Sequence, residues 1–182
     1  VRAGRRTADH GDEPAARAAL TTGPVDFERF YLDEYRPLLR LAWSLTGRRD
    51  LGEELVQETM LAVHGRWHDV GGYDAPGAYA RRVLLNACRS FARRRAVEVK
   101  AMDRVARPGT VTDPRPPDDE LWAAVRDLPE RQCQAVALHY LEDRPVAEIA
   151  DVLGITVATT KVHLHRGRQA LAARLGSREE ER

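Results

Sequence analysis

With 182 residues and a mass of 20.4 kDa, the chain holds one ordinary domain or two small ones and is too short for a large multidomain enzyme. A composition that is 43% hydrophobic but only 6% aromatic fits a helical protein better than an aromatic-rich β sandwich, and no run approaches the roughly 18 to 20 apolar residues of a membrane span. The balance of 29 Lys plus Arg against 28 Asp plus Glu gives a net charge of +1, which on its own says nothing about nucleic acid.

In chain order, Val1 to Pro24 is polar and rich in Ala, Gly and Arg without periodicity, and reads as a mobile tail. It lacks the apolar core of a secretory signal, so a cytoplasmic protein with no membrane insertion is expected. Asp26 is placed to cap a helix in which Phe27, Phe30, Tyr31, Leu38, Leu41, Ala42 and Leu45 recur at helical spacing; Pro37 should kink or divide it and Gly47 end it. Asp50 and Glu53 form a capping-box-like pair for a second helix, with Leu51, Leu55, Thr59, Ala62 and Val63 on one face ahead of Trp67. After Gly71-Gly72, a third helix opens near Pro76 and runs to the Arg93-Arg94-Arg95 cluster. Ala96 to Asp119, with Pro108, Gly109, Pro114, Pro116 and Pro117, reads as a linker.

Beyond it lie a short amphipathic segment from Leu121 to Leu128, a helix begun by Pro129, and another through Val146, Ile149, Ala150 and Leu153 closed by Gly154. The last helix is capped by Thr156, with Thr160, Leu164, Gly167, Leu171 and Leu175 inward. No strand signal is seen. The expected architecture is all-α: two small helical domains, 25–95 and 120–176, joined by a flexible linker at 96–119 and flanked by tails at 1–24 and 177–182.

Charge is distributed more tellingly than its sum. Val25 to Asp74 carries 6 basic and 10 acidic residues, then Ala75 to Arg95 carries 6 basic and none acidic. Glu120 to Ile155 has 3 basic and 7 acidic, then Thr156 to Gly176 has 4 basic and none acidic. Arg outnumbers Lys 27 to 2, but such a bias would not strip every carboxylate from both stripes. Two cationic stripes on a nearly neutral chain suit a polyanion-binding protein whose other faces meet protein or solvent.

In the first stripe Arg81, Arg82, Arg89, Arg93, Arg94 and Arg95 share a helix with Tyr79, Asn86 and Ser90, behind a loop with Trp67 and Tyr73. Arginine neutralises phosphate and exposed aromatic rings stack on unpaired bases, so this pattern suits single-stranded or melted DNA; alternatively Trp67, Tyr79 and Phe91 are core. The second stripe follows a short helix and a Gly-containing turn, a helix-turn-helix pattern. With the inward set fixed, Thr156, Val157, Thr159, Lys161, His163, Arg166 and Arg168 remain for a major-groove surface; the alternative is a packing helix with a solvated basic side. Glu53, Glu54, Gln57 and Glu58 give the second helix an acidic edge that either docks a basic partner or is solvated.

Enzymatic signals are weak. His64 and His68 have the spacing of helical metal ligands but no third ligand, His163 and His165 face different ways, and no phosphate loop or nucleophile set is present, so no catalytic residue, metal or cofactor is expected. Cys88 and Cys133, the two cysteines, read as free thiols.

The segment Asp50-Leu-Gly-Glu-Glu-Leu-Val-Gln-Glu-Thr-Met60 resembles the polymerase-binding motif in region 2 of the extracytoplasmic-function sigma factors, small two-domain members of the bacterial sigma-70 family. Ala78-Tyr-Ala-Arg-Arg-Val-Leu-Leu-Asn86 and the basic run to Arg95 resemble the family's promoter-melting helix, which reads the minus-ten element. Leu128-Pro-Glu-Arg-Gln132, Val146-Ala-Glu-Ile-Ala150, Leu153-Gly154 and Thr159 to Arg168 resemble region 4, which reads the minus-thirty-five element. The style is closest to sigma-E-like members from actinobacteria. The resemblance implies an alternative sigma factor that binds core RNA polymerase, directs it to promoters and helps melt them. It assigns Asp50, Glu54, Leu55, Gln57 and Glu58 to the β′ clamp helices, and it places Asn86, Arg89, Ser90 and Arg93 along minus-ten DNA, with the Val70 to Ala75 loop, including Asp74, as a pocket for a flipped base. It also implies a contact with the β flap and an anti-sigma factor as a further partner. Ser90, Thr160, His163 and Gly167 depart from the family's usual residues. The rival class is a conventional helix-turn-helix regulator, which would bind duplex DNA without polymerase.

Overall fold

The apolar stripes become eight helices and no strand among the described residues, 26–102 and 119–179 of a computed structural model. Helix α1 (Phe27–Thr46) follows Asp26, whose side chain makes no cap bond, and it is not divided: Pro37 lies inside it. The ring removes one backbone bond, but Leu38, Leu41 and Ala42, all fully buried, hold the following turns on their neighbours. Gly47 ends α1 in the left-handed region at φ 69°, its N–H donating to the Trp43 carbonyl.

Helix α2 (Arg49–His64) starts at Arg49. The expected capping box does not form, because Arg48 takes the Asp50 carboxylate and Arg49 takes Glu53 at 3.1 Å. α2 stops at His64, and Trp67 opens a separate turn, α3 (Trp67–Val70). Helix α4 (Pro76–Met102) begins at the expected proline but runs past Arg95. Its extension contains no Gly or Pro and includes Ala96, Glu98 and Lys100, good helix formers, so nothing in Ala96 to Met102 stops it. The remainder of the expected linker, 103–118, lies outside the described residues, as do the N-terminal tail with residue 25 of the first domain and 180–182 of the C-terminal tail.

The second group comprises α5 (Asp119–Arg126), α6 (Glu130–Tyr140), α7 (Val146–Leu153) and α8 (Val157–Glu179). Gly154 closes α7 at φ 64°, and the Ile155 N–H returns to the Ala150 carbonyl at 3.0 Å. As expected, Thr156 caps α8: its Oγ1 accepts the Thr159 N–H at 3.1 Å. Thr160, Leu164 and Gly167 are buried on the inward face of α8.

In the first group α1, α2 and α4 pack together, burying Leu41, Val56, Met60, Val63 and Leu84; in the second, α6, α7 and α8 enclose Val136, Leu138, Ile149 and Leu164. The groups also touch one another, α1 packing on α5 and α6, and α4 on α7. One continuous apolar cluster therefore runs through both.

Candidate nucleic-acid and protein interfaces

Among the described residues, the acidic edge of α2 is left open to solvent. Glu54, Gln57 and Glu58 are exposed, and Leu61, 73% exposed, extends the same face. The spacing 54, 57, 58, 61 puts Leu61 on the helix face of the acidic edge. Asp50 lies at the exposed start of the helix, where its hydrogen bond from Arg48 holds the carboxyl below its ordinary range. Leu55 is corrected: it is buried in the core and supports the edge from behind without presenting itself.

The aromatic residues near α4 divide. Trp67 packs on Phe27 and Phe30, with ring centroids 5.3 and 4.8 Å apart, and is half-buried core; the expectation that it meets bases is corrected. His64 sits edge-on against Phe27 in the same cluster. Tyr73 is exposed and meets Tyr79 edge-on at 5.9 Å, while Arg66 donates to the Tyr79 hydroxyl at 3.3 Å. These two rings, with exposed Asp74, form the rim ahead of α4.

Along α4, Asn86, Arg89, Arg93 and Arg94 are exposed and Ser90 is half-buried. Arg81 is not available to phosphate: its side chain is 2% exposed. Its Nε and Nη2 donate to the Glu142 carboxylate at 2.6 and 3.0 Å, and its Nη1 donates to the Gly77 carbonyl at 3.0 Å and pairs with Glu34 at 2.9 Å. Burial acts to lower the Arg81 pKa, but the hydrogen bonds and charge of Glu142, joined by Glu34, outweigh it and keep the guanidinium charged. Arg82, expected on DNA, donates to the Asp151 carbonyl and, at 3.4 Å, to the Val152 carbonyl.

On α8, Thr156, Val157, Thr159, Lys161, Arg166 and Arg168 are exposed together. The hydroxyls of Thr156 and Thr159 are bonded to each other at 2.8 Å. His163 is corrected: it is half-buried, and its Nδ1 is buried without a hydrogen-bond partner. Val162 and His165 are the exposed neighbours that the sequence reading omitted, both on the turn-by-turn continuation of Thr159 and Lys161.

Cys88 and Cys133 are free thiols; burial pushes Cys88 up to about 12 and Cys133 up to about 11. Among the described residues no helix is long and apolar enough to cross a membrane.

Comparison with known proteins identifies the family. Residues 30–97 match the Sigma-70 region 2 family and residues 118–171 match Sigma-70, region 4. The chain is 27% identical over 157 residues to the RNA polymerase sigma-E factor of Streptomyces avermitilis, covering 85% of this chain and 88% of that one. It is 33% identical over 132 residues to the ECF RNA polymerase sigma factor SigF of Caulobacter vibrioides, covering 68% of this chain and 70% of that one. In fold it is similar to the sigma factor RpoE, solved in complex with the anti-sigma factor NepR from Bartonella quintana, with a TM-score of 0.69 and 24% identity over 83% of this chain and 97% of that one. The acidic edge, the basic α4 and the helix-turn-helix thus occur together for one reason: the chain belongs to the extracytoplasmic-function sigma factors of the sigma-70 family.

Proposed function

We propose that residues 25–95 dock core RNA polymerase and capture the minus-ten element, and that residues 120–176 read the minus-thirty-five element, with 96–119 linking them. The observation that carries this reading is the pairing of an exposed acidic edge on α2 with two separate exposed basic faces, on α4 and α8. Glu54, Gln57, Glu58 and Leu61 would meet the β′ clamp helices. Asn86, Arg89, Arg93 and Arg94 would follow the melted strand, with Tyr73 and Tyr79 as stacking surfaces and Asp74 at the loop rim. Thr156, Val157, Thr159, Lys161, Arg166 and Arg168 would lie in the major groove, and the second domain would also meet the β flap.

The protein acts as a transcription initiation factor; the polymerase supplies the chemistry, and binding of unstacked bases offsets the few kcal/mol of unstacking each. Its place of action would be the cytoplasm. An anti-sigma factor is a further expected partner, since the similar RpoE was solved with one.

Run-off transcription on fragmented genomic DNA, with sigma-free core polymerase, tests the reading. Discrete starts that depend on this protein and share two upstream motifs are expected; specific duplex binding without core and no such starts would favour a conventional regulator. Arg93→Ala with Arg94→Ala should weaken promoter opening and flatten its salt dependence. Unchanged permanganate reactivity in that double variant would remove the Arg run from melting.

A further inference from the structure

Cys88 of α4 and Cys133 of α6 line one cavity of about 490 Å³, within the range of about 300–1,000 Å³ usual for small-molecule sites. Leu45 of α1 and Leu128, just after α5, complete its apolar floor. The mouth is cationic, formed by Arg89 and Arg93 on the exposed side of α4 with Ala92 beside them. Arg126 of α5 makes one wall, fixed by donation from its Nη1 to the Ser44 carbonyl at 3.3 Å. Buried Gln134 makes another, its Nε2 donating to Glu130 at 3.0 Å and its Oε1 accepting from Arg131 at 3.4 Å.

The floor suits an apolar body. Among the described residues, none of the buried polar atoms without a hydrogen-bond partner lines this cavity, so nothing in it calls for water. Burial raises the thiols, Cys88 to about 12 and Cys133 to about 11, so both stay neutral near pH 7 and put no negative charge beneath a ligand. The charged lining is three arginines against one carboxylate, a balance that repels a cation and attracts an anion. Glu130 stands 3.5 Å from Arg89 and partly offsets it. Arg93 has no ion-pair partner among the described residues, so its guanidinium is the one open to an incoming acid.

We propose that this cavity binds a small amphipathic anion, a hydrocarbon body ending in a carboxylate or phosphate, with its body on Leu45, Leu128 and the two cysteines and its charge on Arg93 and Arg89. Neither half suffices alone. A neutral hydrocarbon would take water from Arg93 without replacing it, and a bare inorganic anion would leave the apolar floor uncovered. Arg89 and Arg93 are also the guanidiniums proposed for the melted strand, so the ligand and the DNA backbone would compete for them. That competition rests on the minus-ten reading of α4; the site itself does not.

The native thiols report occupancy without DNA. The full-length protein is titrated with decanoate and with decyl phosphate by isothermal titration calorimetry, and iodoacetamide labelling of Cys88 and Cys133 is followed by peptide mass spectrometry. Saturable binding of at least one acid is expected, with labelling of both cysteines slowed about fivefold or more at saturation. Acetate, inorganic phosphate and decanol, each lacking one half of the ligand, should bind at least about tenfold more weakly. Arg93→Gln, at an exposed position, should weaken binding of the acid about tenfold, and Ala92→Trp at the mouth should abolish the protection of Cys88. No saturable binding of either acid, binding that leaves both labelling rates unchanged, or equal affinity in a folded Arg93→Gln would overturn the site. In run-off transcription with core polymerase, the saturating acid should reduce promoter-specific transcripts about fivefold or more, and unchanged transcripts alongside binding would overturn the competition. Binding with thiol protection in a protein that yields no promoter-specific transcripts would sink the promoter reading alone.

Discussion

Single residues in α8 carry unequal burdens. Gly167 costs helix stability relative to alanine, about 1 kcal/mol, yet a Cβ at that position would sit 2.8 Å from Val136 Cγ2 on α6. The close approach of the two helices is the reason for the glycine. Gly167→Ala should therefore destabilise the protein by about 1 kcal/mol despite better propensity, since overpacking typically costs about 1–3 kcal/mol. In a Val136→Ala background the same change should instead stabilise, and urea unfolding of the four-member cycle measures the reversal. Thr156 is an N-cap whose hydroxyl accepts the Thr159 N–H, so Thr156→Ala should lower stability by about 1 kcal/mol in the same assay. Part of any loss of duplex affinity in that variant would come through the helix end and not through a base contact.

Helices were more legible than their ends. The starts of α4 at Pro76 and of α8 after Thr156, and the stops at Gly47 and Gly154, follow from backbone chemistry confined to a few adjacent residues. The stop of α4 did not, because a cluster of arginines is not a terminator and the residues after it are compatible with a helix. The undivided α1 and the missing capping box at Asp50 were settled by tertiary burial and by Arg48 and Arg49, which a local pattern does not weigh. Periodicity alone placed Thr156, Val157, Thr159, Lys161, Arg166 and Arg168 of α8 on an exposed face but misplaced His163, and it failed where a distant partner decides, as for Arg81, Arg82 and Trp67. On α2 the periodicity supports a direct test of the docking edge. Glu54→Lys with Glu58→Lys should weaken binding to core polymerase by at least about tenfold, an effect reduced by added salt, while leaving the melting temperature nearly unchanged because both positions are exposed. Leu61→Glu should weaken core binding through loss of apolar contact, with little salt dependence. Fluorescence anisotropy of labelled protein against core measures both.

Across the whole molecule, the join between the two groups is part ionic and part apolar, and its buried thiols give it an alkaline limit. Cys88 is pushed up to about 12 and Cys133 up to about 11 from an ordinary value of 9.0, chiefly by burial. A thiol that stays protonated in the folded chain contributes stability that is full below pH 9; the unfolded chain releases its protons first, so this contribution falls as pH rises from 9 towards 11 and beyond. Urea midpoints between pH 8 and about 10.5 should drop more steeply for wild type than for Cys88→Ala with Cys133→Ala; parallel slopes would remove the thiols from the alkaline response. The join was not foreseeable from composition, since Glu142 stands in an acidic stretch with no mark to distinguish it from its neighbours. Arg82 adds a different property. Its acceptors are the main-chain oxygens of Asp151 and Val152, which every amino acid possesses. Random replacement of the side chains at positions 151 and 152 leaves those oxygens in place as long as α7 remains a helix. Inheritance of this half of the fastening therefore depends on helix length and placement and not on the identity of any residue, whereas the Glu142 half can be erased by a single codon.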